Sequence, residues 1–361
     1  MIPEKNRITQ GQLMFFVMQS QVGVGILSLP HKMQAISKGA GWISTLIAGL
    51  AVQVVILILW ALCRRFPSDT IFSFLPKITG NLLGNLLGFA YIGYFLFFTG
   101  TLLSKFADIT GKWVLQTTPR WALLILTLLT CIYLAKENVR VMARMFVISS
   151  LTIIVMVILS LLGYANANFS YMFPILEVGW WKIIKSANEA VYPLVGYEVL
   201  LVIYSFVEGK EGGKLKAASL GNMVITLFYA FEVFTCLVIF SPGVMPFVSE
   251  PPLYMLKGFS FQIIQRIDLI FFSLWIFIVG TATSSWLYMS TAGLGRFFHR
   301  GEHKKAVLYA ALIVFILAMI AQDPAISDLY DRILKIAHYT FAVGLPLILL
   351  IFSYFSRTRR A

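Results

Sequence analysis

The sequence predicts an all-α membrane protein with ten transmembrane helices in a 5+5 inverted repeat, in which helices 1 and 6 are broken. Hydrophobic residues make up 59% and charged residues 12% of the chain, whereas an ordinary soluble domain has roughly 45–50% and 25%. Ten apolar stretches have about the length that crosses the hydrocarbon core of a bilayer. Two of these stretches are interrupted by glycine and proline at matching points, which favours a small-solute site between two inverted halves.

The ten stretches define the predicted spans and a single transmembrane domain over residues 1–361. Their approximate bounds are 10–34, 41–63, 82–107, 120–135, 140–163, 183–207, 217–241, 262–292, 305–322 and 334–355. Most of the 29 Lys and Arg residues fall in alternate connections, which favours an even number of spans with both termini cytoplasmic. The first repeat (about 10–163) and the second (about 183–355) then run in opposite directions.

Two connections have a predicted structure of their own. Residues 64–80 mix apolar residues with prolines and are interpreted as a short interfacial helix. The long connection 164–182 contains Trp180 and Trp181 and suits a segment at the level of the lipid headgroups. Near the end of span 3, Lys105 and Asp108 are three residues apart and are predicted to pair.

The first interruption is the segment Gln21-Val22-Gly23-Val24-Gly25. A helix that loses its hydrogen bonds inside a bilayer must line a protein-enclosed cavity or meet a ligand. Ile26 and Leu27 restart a half-helix whose N–H groups and positive dipole end attract an anion such as a carboxylate. The alternative is that Gly23 and Gly25 only permit close helix packing.

The second interruption surrounds Pro193 and Gly196 in the sixth span. Proline removes a backbone donor and glycine relaxes the backbone, so carbonyl groups between residues 192 and 195 are expected to be free. Glu198 follows at membrane depth, where an ionisable group is a functional candidate. It either accepts N–H groups of the broken backbone, which we favour, or contacts the solute.

Three further groups have a functional and a structural interpretation. Glu232 in span 7 is either a proton acceptor or a neutral acid bonded to another helix. The hydroxyl groups of span 8 complete a solute or sodium site, or bond their own helix carbonyls; they belong to Thr281, Thr283, Ser284 and Ser285. The aromatic stripe of span 3 lines the cavity or packs against other helices; it comprises Tyr91, Tyr94, Phe97 and Phe98.

Several function classes are disfavoured. No Walker A loop, GxSxG or HExxH motif is present, so an enzyme is not expected. The net charge of +13 is scattered between apolar runs, which argues against nucleic acid as a partner. The three cysteines stand alone and the four histidines lie near predicted span ends, so neither a metal nor a cofactor is expected and the thiols are predicted to be buried.

The segment from Gln21 to Pro30, together with Val195-Gly196-Tyr197-Glu198, resembles the spore germination permeases. These are the B-type subunits of nutrient germinant receptors, a branch of the amino acid/polyamine/organocation transporter superfamily. The resemblance covers the whole chain and implies a leucine-transporter-like fold in the spore inner membrane. It also implies a small germinant, an amino acid by preference, and two partners: an A-type membrane subunit and a C-type lipoprotein subunit.

Carried over by position, the resemblance implies a pocket built by four spans. Its residues would be Val22, Gly23, Val24, Gly25 and Ile26 of span 1, Phe98 and Thr99 of span 3, Val195, Gly196, Tyr197 and Glu198 of span 6, and Thr281, Thr283 and Ser284 of span 8. A lysine in span 5 couples protons in wider members of the superfamily, and this chain has none between Arg144 and Gly163. Three functions stay open: a ligand sensor that signals to its partners, a secondary amino acid transporter that works by alternating access, and a ligand-opened pathway for ions or water.

Overall fold

The computed structural model describes residues 6–259, 265–299 and 301–355, and helices dominate these ranges. The α-helices are α1 (Gln10–Gln21), α2 (Gly25–Ser37), α3 (Gly41–Cys63), α4 (Ile71–Thr79), α5 (Asn81–Trp113), α6 (Arg120–Ala135), α7 (Val139–Ser149), α8 (Leu151–Leu161), α9 (Gly179–Val191), α10 (Leu200–Ile203), α11 (Glu211–Ile239), α12 (Pro251–Lys257), α13 (Ile267–Phe298), α14 (His303–Ile320), α15 (Pro324–His338) and α16 (Leu345–Phe355). A π-helical segment, Tyr339–Gly344, joins α15 to α16. The predicted start of span 8 at residue 262 lies outside the described residues.

Seven helical stretches of the described residues are long and apolar enough to cross a membrane. They are Gly25–Cys63, Asn81–Trp113, Val139–Asn166, Glu211–Ile239, Ile267–Phe298, His303–Ile320 and Pro324–Phe355. The bent pair Gly179–Leu194 and Tyr197–Phe206, at 54° to each other, makes an eighth if it counts as one span. The protein is therefore a helical integral membrane protein.

Within the described ranges, seven or eight spans meet these criteria of length and composition, and the ten predicted from hydropathy stay a prediction. With 12 and 16 residues, α1 and α6 are shorter than the roughly 20 residues that a straight crossing needs. In addition, α2 and α3 are joined through a single turn at Lys38–Ala40 and form one stretch of 39 residues. Hydropathy averages over such breaks and turns and does not locate them.

The interior of the bundle is built around α1, α11 and α13. In the described residues α1 packs against α11, α7 and α13, while α11 also packs against α3 and α13 against α5 and α14. The buried half of α1 runs from Phe16 to Gln21, so this short helix lies at the centre of the bundle. The chain before α1 is tied to the end of the sixth predicted span, because Ile8 N donates to Phe206 O (2.9 Å) and Glu208 N donates to Ile8 O (2.9 Å).

The two connections that have a predicted structure of their own both lie among the described residues. Residues 71–79 form the short helix α4, and its apolar face packs on α5. Trp180 and Trp181 are exposed at the start of α9, and their position at the headgroup level stays a prediction.

The predicted pairing of Lys105 with Asp108 is wrong. Lys105 Nζ lies 2.5 Å from an Asp331 carboxylate oxygen on α15, and Asp108 pairs with Arg120 at the start of α6. Each side chain thus meets a charge on a neighbouring helix, which spacing along α5 alone does not reveal.

Candidate functional site

The first interruption separates α1 from α2. Helix α1 ends at Gln21, residues Val22 to Val24 are not helical, and α2 starts at Gly25 without a side-chain cap on its N-terminus. The broken backbone is partly satisfied by α11, because Tyr229 Oη accepts from Gly23 N (3.3 Å) and donates to Gln21 O (3.4 Å). Leu27 N donates to Val24 O (3.4 Å), and the first N–H groups of α2 have no side-chain cap among the described residues.

The second interruption lies between the 3₁₀ turns Tyr192–Leu194 and Tyr197–Val199. Val195 is extended, and Gly196 has φ +138°, a conformation that L side chains rarely adopt. A Cβ at Gly196 would also lie 2.1 Å from Ser20 O. This position therefore requires glycine, for its conformation and for the close approach of α1.

The two interruptions contact each other. A Cβ added to Gly25 would lie 2.8 Å from Pro193 Cβ, so the start of α2 packs directly on the second interruption. Gln21 Nε2 donates to Leu194 O (2.8 Å) and lies 3.2 Å from Asn222 Oδ1. A side chain of the first interruption thus binds a carbonyl group that the second one frees.

A cavity of about 70 Å³ opens beside this contact. Its lining comes from the two interruptions, α2, one face of α5 and α13: Ser20, Gln21, Gly23, Val24, Gly25, Ser28, Lys32, Phe98, Thr101, Leu102, Lys105, Tyr192, Pro193, Val195, Ala282 and Trp286. Phe98 and Trp286 stack with ring centroids 3.9 Å apart and form an aromatic wall. A space of this size holds a few water molecules.

Gln21 is a buried polar group of this lining whose side-chain oxygen is left without a hydrogen bond by the described residues. The side chain is buried, and its Oε1 accepts no hydrogen bond from the described residues. A buried acceptor without a donor costs about 1–3 kcal/mol. A solute ammonium or a water molecule at this point would satisfy it.

Of the residues predicted for the pocket, five line the cavity: Gly23, Val24, Gly25, Phe98 and Val195. The other span 1 and span 3 candidates are buried in packing: Val22, Ile26 and Thr99. Gly196 faces the backbone of Ser20 instead.

The span 8 candidates bond elsewhere because of the rotation of α13. Thr281 donates to Gln19 Oε1 (2.7 Å), while Thr283 and Ser284 donate to carbonyls of the preceding turn. Ala282 and Trp286, four residues apart, face the cavity in their place. Next to the cavity lining, Ser20 Oγ lies 2.6 Å from Ser285 Oγ, and this contact joins α1 to α13.

Glu198 and Tyr197 lie in a buried cluster behind the second interruption. Glu198 Oε2 accepts from Gly196 N (2.9 Å), and Oε1 accepts from Tyr94 Oη (3.0 Å) and lies 3.1 Å from His338 Nδ1. Tyr197 Oη is 3.1 Å from His338 Nε2. This geometry matches the favoured interpretation of Glu198 as an organiser of the interruption.

His338 was missed because the sequence places it near a span end. In the structure it lies inside the stretch Pro324–Phe355 and is 1% exposed. The helix begins at residue 324, ten residues before the predicted span at 334. The prediction misses this part because α15 is amphipathic and its average hydropathy is low.

Glu232 lies outside the cavity lining, between α11 and α8. Ser160 Oγ donates to Glu232 Oε1 (2.7 Å), and Oε2 has no hydrogen-bond partner among the described residues. A single neutral donor fits the neutral, hydrogen-bonded interpretation better than an ionised carboxylate.

Two further sequence predictions concern the aromatic stripe and the thiols. Tyr94 belongs to the Glu198 cluster, Tyr91 Oη donates to Phe341 O (2.9 Å) and Phe97 packs on Tyr330, so only Phe98 lines the cavity. The three cysteines are free and buried, as predicted.

The missed lining residues include two cations, Lys32 and Lys105. The spacing along each helix indicated both lysines. Lys32 follows Gly25 by seven residues, with Ser28 three residues after Gly25, and Lys105 follows Phe98 by seven. Each set therefore shares one face of its helix.

The family profile described as "Spore germination protein" matches residues 7–327. Spore germination protein GerQB of Bacillus cereus is 27% identical over 320 residues, which cover 88% of this chain and 87% of the relative. Spore germination protein YndE of Bacillus subtilis (strain 168) is 22% identical over 357 residues, or 98% of both chains. Spore germination protein B2 of the same strain is 20% identical over 324 residues, or 88% of both.

The profile match extends from the chain before α1 into α15 and so includes both interruptions and the whole cavity lining. The chain therefore belongs to the family of spore germination proteins.

Proposed function

We propose that this protein is the ligand-binding B-type subunit of a nutrient germinant receptor, and that a small amino acid binds in the cavity between the two interruptions. The observation that carries the proposal is that cavity: two broken helices contact each other through Gly25 and Pro193 and leave a space for a small solute beside the uncapped start of α2. Irregular backbone at membrane depth occurs where it lines such a site.

The lining suits the two charged groups of an amino acid. A carboxylate is stabilised at the N-terminus of α2, where backbone donors and the helix dipole point at it. The ammonium group donates to the free Gln21 Oε1 and lies near the faces of Trp286 and Phe98, where a cation is attracted by the aromatic ring. The lining also contains the apolar residues Leu102, Val195 and Ala282, which accommodate a short side chain.

The proposed architecture is a leucine-transporter-like 5+5 inverted repeat of ten spans, with α1 and α2 as the broken span 1 and residues 179–206 as the broken span 6. Both termini would be cytoplasmic, in the spore inner membrane. The tie between Ile8 and Val207 supports this arrangement, because it joins the starting end of span 1 to the finishing end of span 6.

In this mechanism the ligand changes the relative position of the two halves, and the partners read the change. A ligand shifts such an equilibrium only by its differential affinity for the two states. Two contacts between α1 and α13 are candidates for contacts that differ between the two states: Ser20 with Ser285, and Gln19 with Thr281. The receiving partners would be an A-type membrane subunit and a C-type lipoprotein subunit.

Binding is tested on the purified full-length chain by thermal shift against amino acids, since a ligand that binds only the folded state raises its stability. Gly25→Leu should abolish the shift and, in spores, the nutrient response, because a Cβ there already overlaps Pro193 and the larger side chain would force the two interruptions apart. A cooperative melting curve shows that the variant still assembles. Gly93→Leu is the matched control, because a Cβ at Gly93 meets no atom within 4 Å. A normal dose-response curve for Gly25→Leu would remove Gly25 from the site.

A secondary transporter is the second candidate, favoured by a further cavity of about 230 Å³ along α13. Its lining includes Tyr288, Ala292 and Arg296, so it lies farther along α13 than the first cavity, on a different face from that of Trp286. Alternating access would use such a pair of cavities. Accumulation of labelled amino acid in proteoliposomes by this chain alone would favour transport over sensing, and conductance or water flux without accumulation would favour a pathway.

A further inference from the structure

Among the described residues, Lys32 and the charged side chains around it include one cation more than anions. Lys105, Lys335, Asp331 and Glu189 lie within electrostatic range of Lys32, and Lys32 and Lys105 line the cavity. Lys105 pairs with Asp331 and Lys335 pairs with Glu189. Within the part of the chain that the structure describes, Lys32 Nζ has no carboxylate oxygen within 4.0 Å.

Lys32 faces the same space as the proposed carboxylate site. Gly25, Ser28 and Lys32 all line the cavity from α2. At a rise of 1.5 Å per residue, Lys32 lies about 10 Å along the helix from Gly25. Its flexible four-carbon stem lets the ammonium return part of that distance toward the start of the helix.

We propose that the ligand of this site is an acidic amino acid, whose side-chain carboxylate pairs with Lys32 while its α-carboxylate binds the N-terminus of α2. The inference rests on the proposed function and narrows its ligand class. Lys32 is exposed to the space around the cavity and has no ion partner there among the described residues, and such a lysine on a membrane helix marks a candidate ligand or ion site. Lys105 does not compete for the ligand, because Asp331 neutralises it.

The composition of the cavity agrees with an amino acid that carries two carboxylates. No carboxylate belongs to the lining of the cavity, so nothing there repels a second negative charge. The aromatic wall of Phe98 and Trp286 lies against the ammonium and the methylene groups.

The test compares aspartate with asparagine and glutamate with glutamine on purified full-length protein, because each pair differs by one charge at nearly equal size. Acidic ligands should bind about fivefold more tightly at low ionic strength, and this advantage should shrink as salt is raised. Lys32→Gln should remove the advantage and leave asparagine and glutamine binding unchanged, while Lys32→Arg should retain it. Lys182→Gln, which alters a lysine of α9 outside the cavity lining, is the matched control.

Each outcome bears on the acidic ligand, on the proposed function, or on both. If alanine or asparagine binds and the acidic amino acids bind no better, the acidic ligand is excluded and the proposed function stands. If Lys32→Gln weakens both members of each pair equally, Lys32 has a structural role and the inference fails. If inorganic sulfate displaces aspartate from the wild type and not from Lys32→Gln at equal concentration, the site takes anions in general. If no amino acid binds at all, both proposals fail.

Discussion

The two helix interruptions use glycine for different physical reasons. At Gly196 the backbone has a positive φ and a Cβ would overlap the backbone of Ser20, so neither partner is able to move aside. At Gly23 a Cβ would lie 3.4 Å from Leu102 Cδ1, the tip of a flexible side chain. Gly196 is thus a rigid point of the site, as Gly25 is where it meets Pro193, and Gly23 is an adaptable one.

The hydrogen bonds that stabilise the two interruptions also differ. The second interruption is bound by the fully buried cluster of Glu198, Tyr94 and His338. The first is supported by the neutral hydroxyl of Tyr229 at longer distances, 3.3 and 3.4 Å. The second interruption has three hydrogen bonds of 2.9–3.1 Å in this cluster, against two longer ones at the first, so substitutions in the second cluster should cost more.

The largest effect is expected for Gly196→Ala. An alanine here would have a strained φ, and its Cβ would overlap backbone atoms. We therefore expect the free energy of unfolding to fall by more than about 3 kcal/mol. Unfolding is measured with a thiol-reactive dye, since Cys63, Cys131 and Cys236 are all buried in the folded protein. Gly93→Ala is the control with open space; equal melting curves for the two variants would refute the rigid description.

Glu198→Leu should rank second. It leaves the Gly196 N–H, Tyr94 Oη and His338 without their acceptor, which costs about 3–5 kcal/mol for a buried group that loses its partner. Glu198→Gln, which keeps one carbonyl oxygen, should recover part of this in the same melting assay. A Glu198→Leu protein as stable as the wild type would contradict the organiser role.

Tyr229→Phe should cost about 1 kcal/mol, because two long hydrogen bonds to the first interruption are lost and the ring stays in place. Since this hydroxyl lies next to the cavity lining, ligand affinity is measured beside stability. A cost as large as that of Glu198→Leu would remove the distinction between the two interruptions.

The smallest effect on folding is expected for Gly23→Ala. Leu102 has to move by only a few tenths of an ångström, so stability should change by less than about 1 kcal/mol. Because both residues line the cavity, ligand affinity should fall more clearly than the melting temperature. Loss of assembly in this variant would show that Gly23 is as rigid a point as Gly196.

Hydropathy and the positions of glycine and proline establish much of this protein without coordinates. They predict a helical membrane protein, both interruptions and five of the residues that line the cavity, because lipid leaves the backbone few alternatives to a helix. They also indicate Glu198 as a residue that organises the second interruption.

Tertiary packing decides what faces the cavity. Along α13 apolar and hydroxyl residues occur on all sides, so only contact with neighbouring helices selects Ala282 and Trp286 over Thr281 and Ser284. The partners of Glu198 and Lys105 are likewise distant, since His338 is 140 residues from Glu198 and Asp331 is 226 residues from Lys105. Rotation of a helix about its axis and pairing between remote helices arise from packing, and local periodicity contains no record of either.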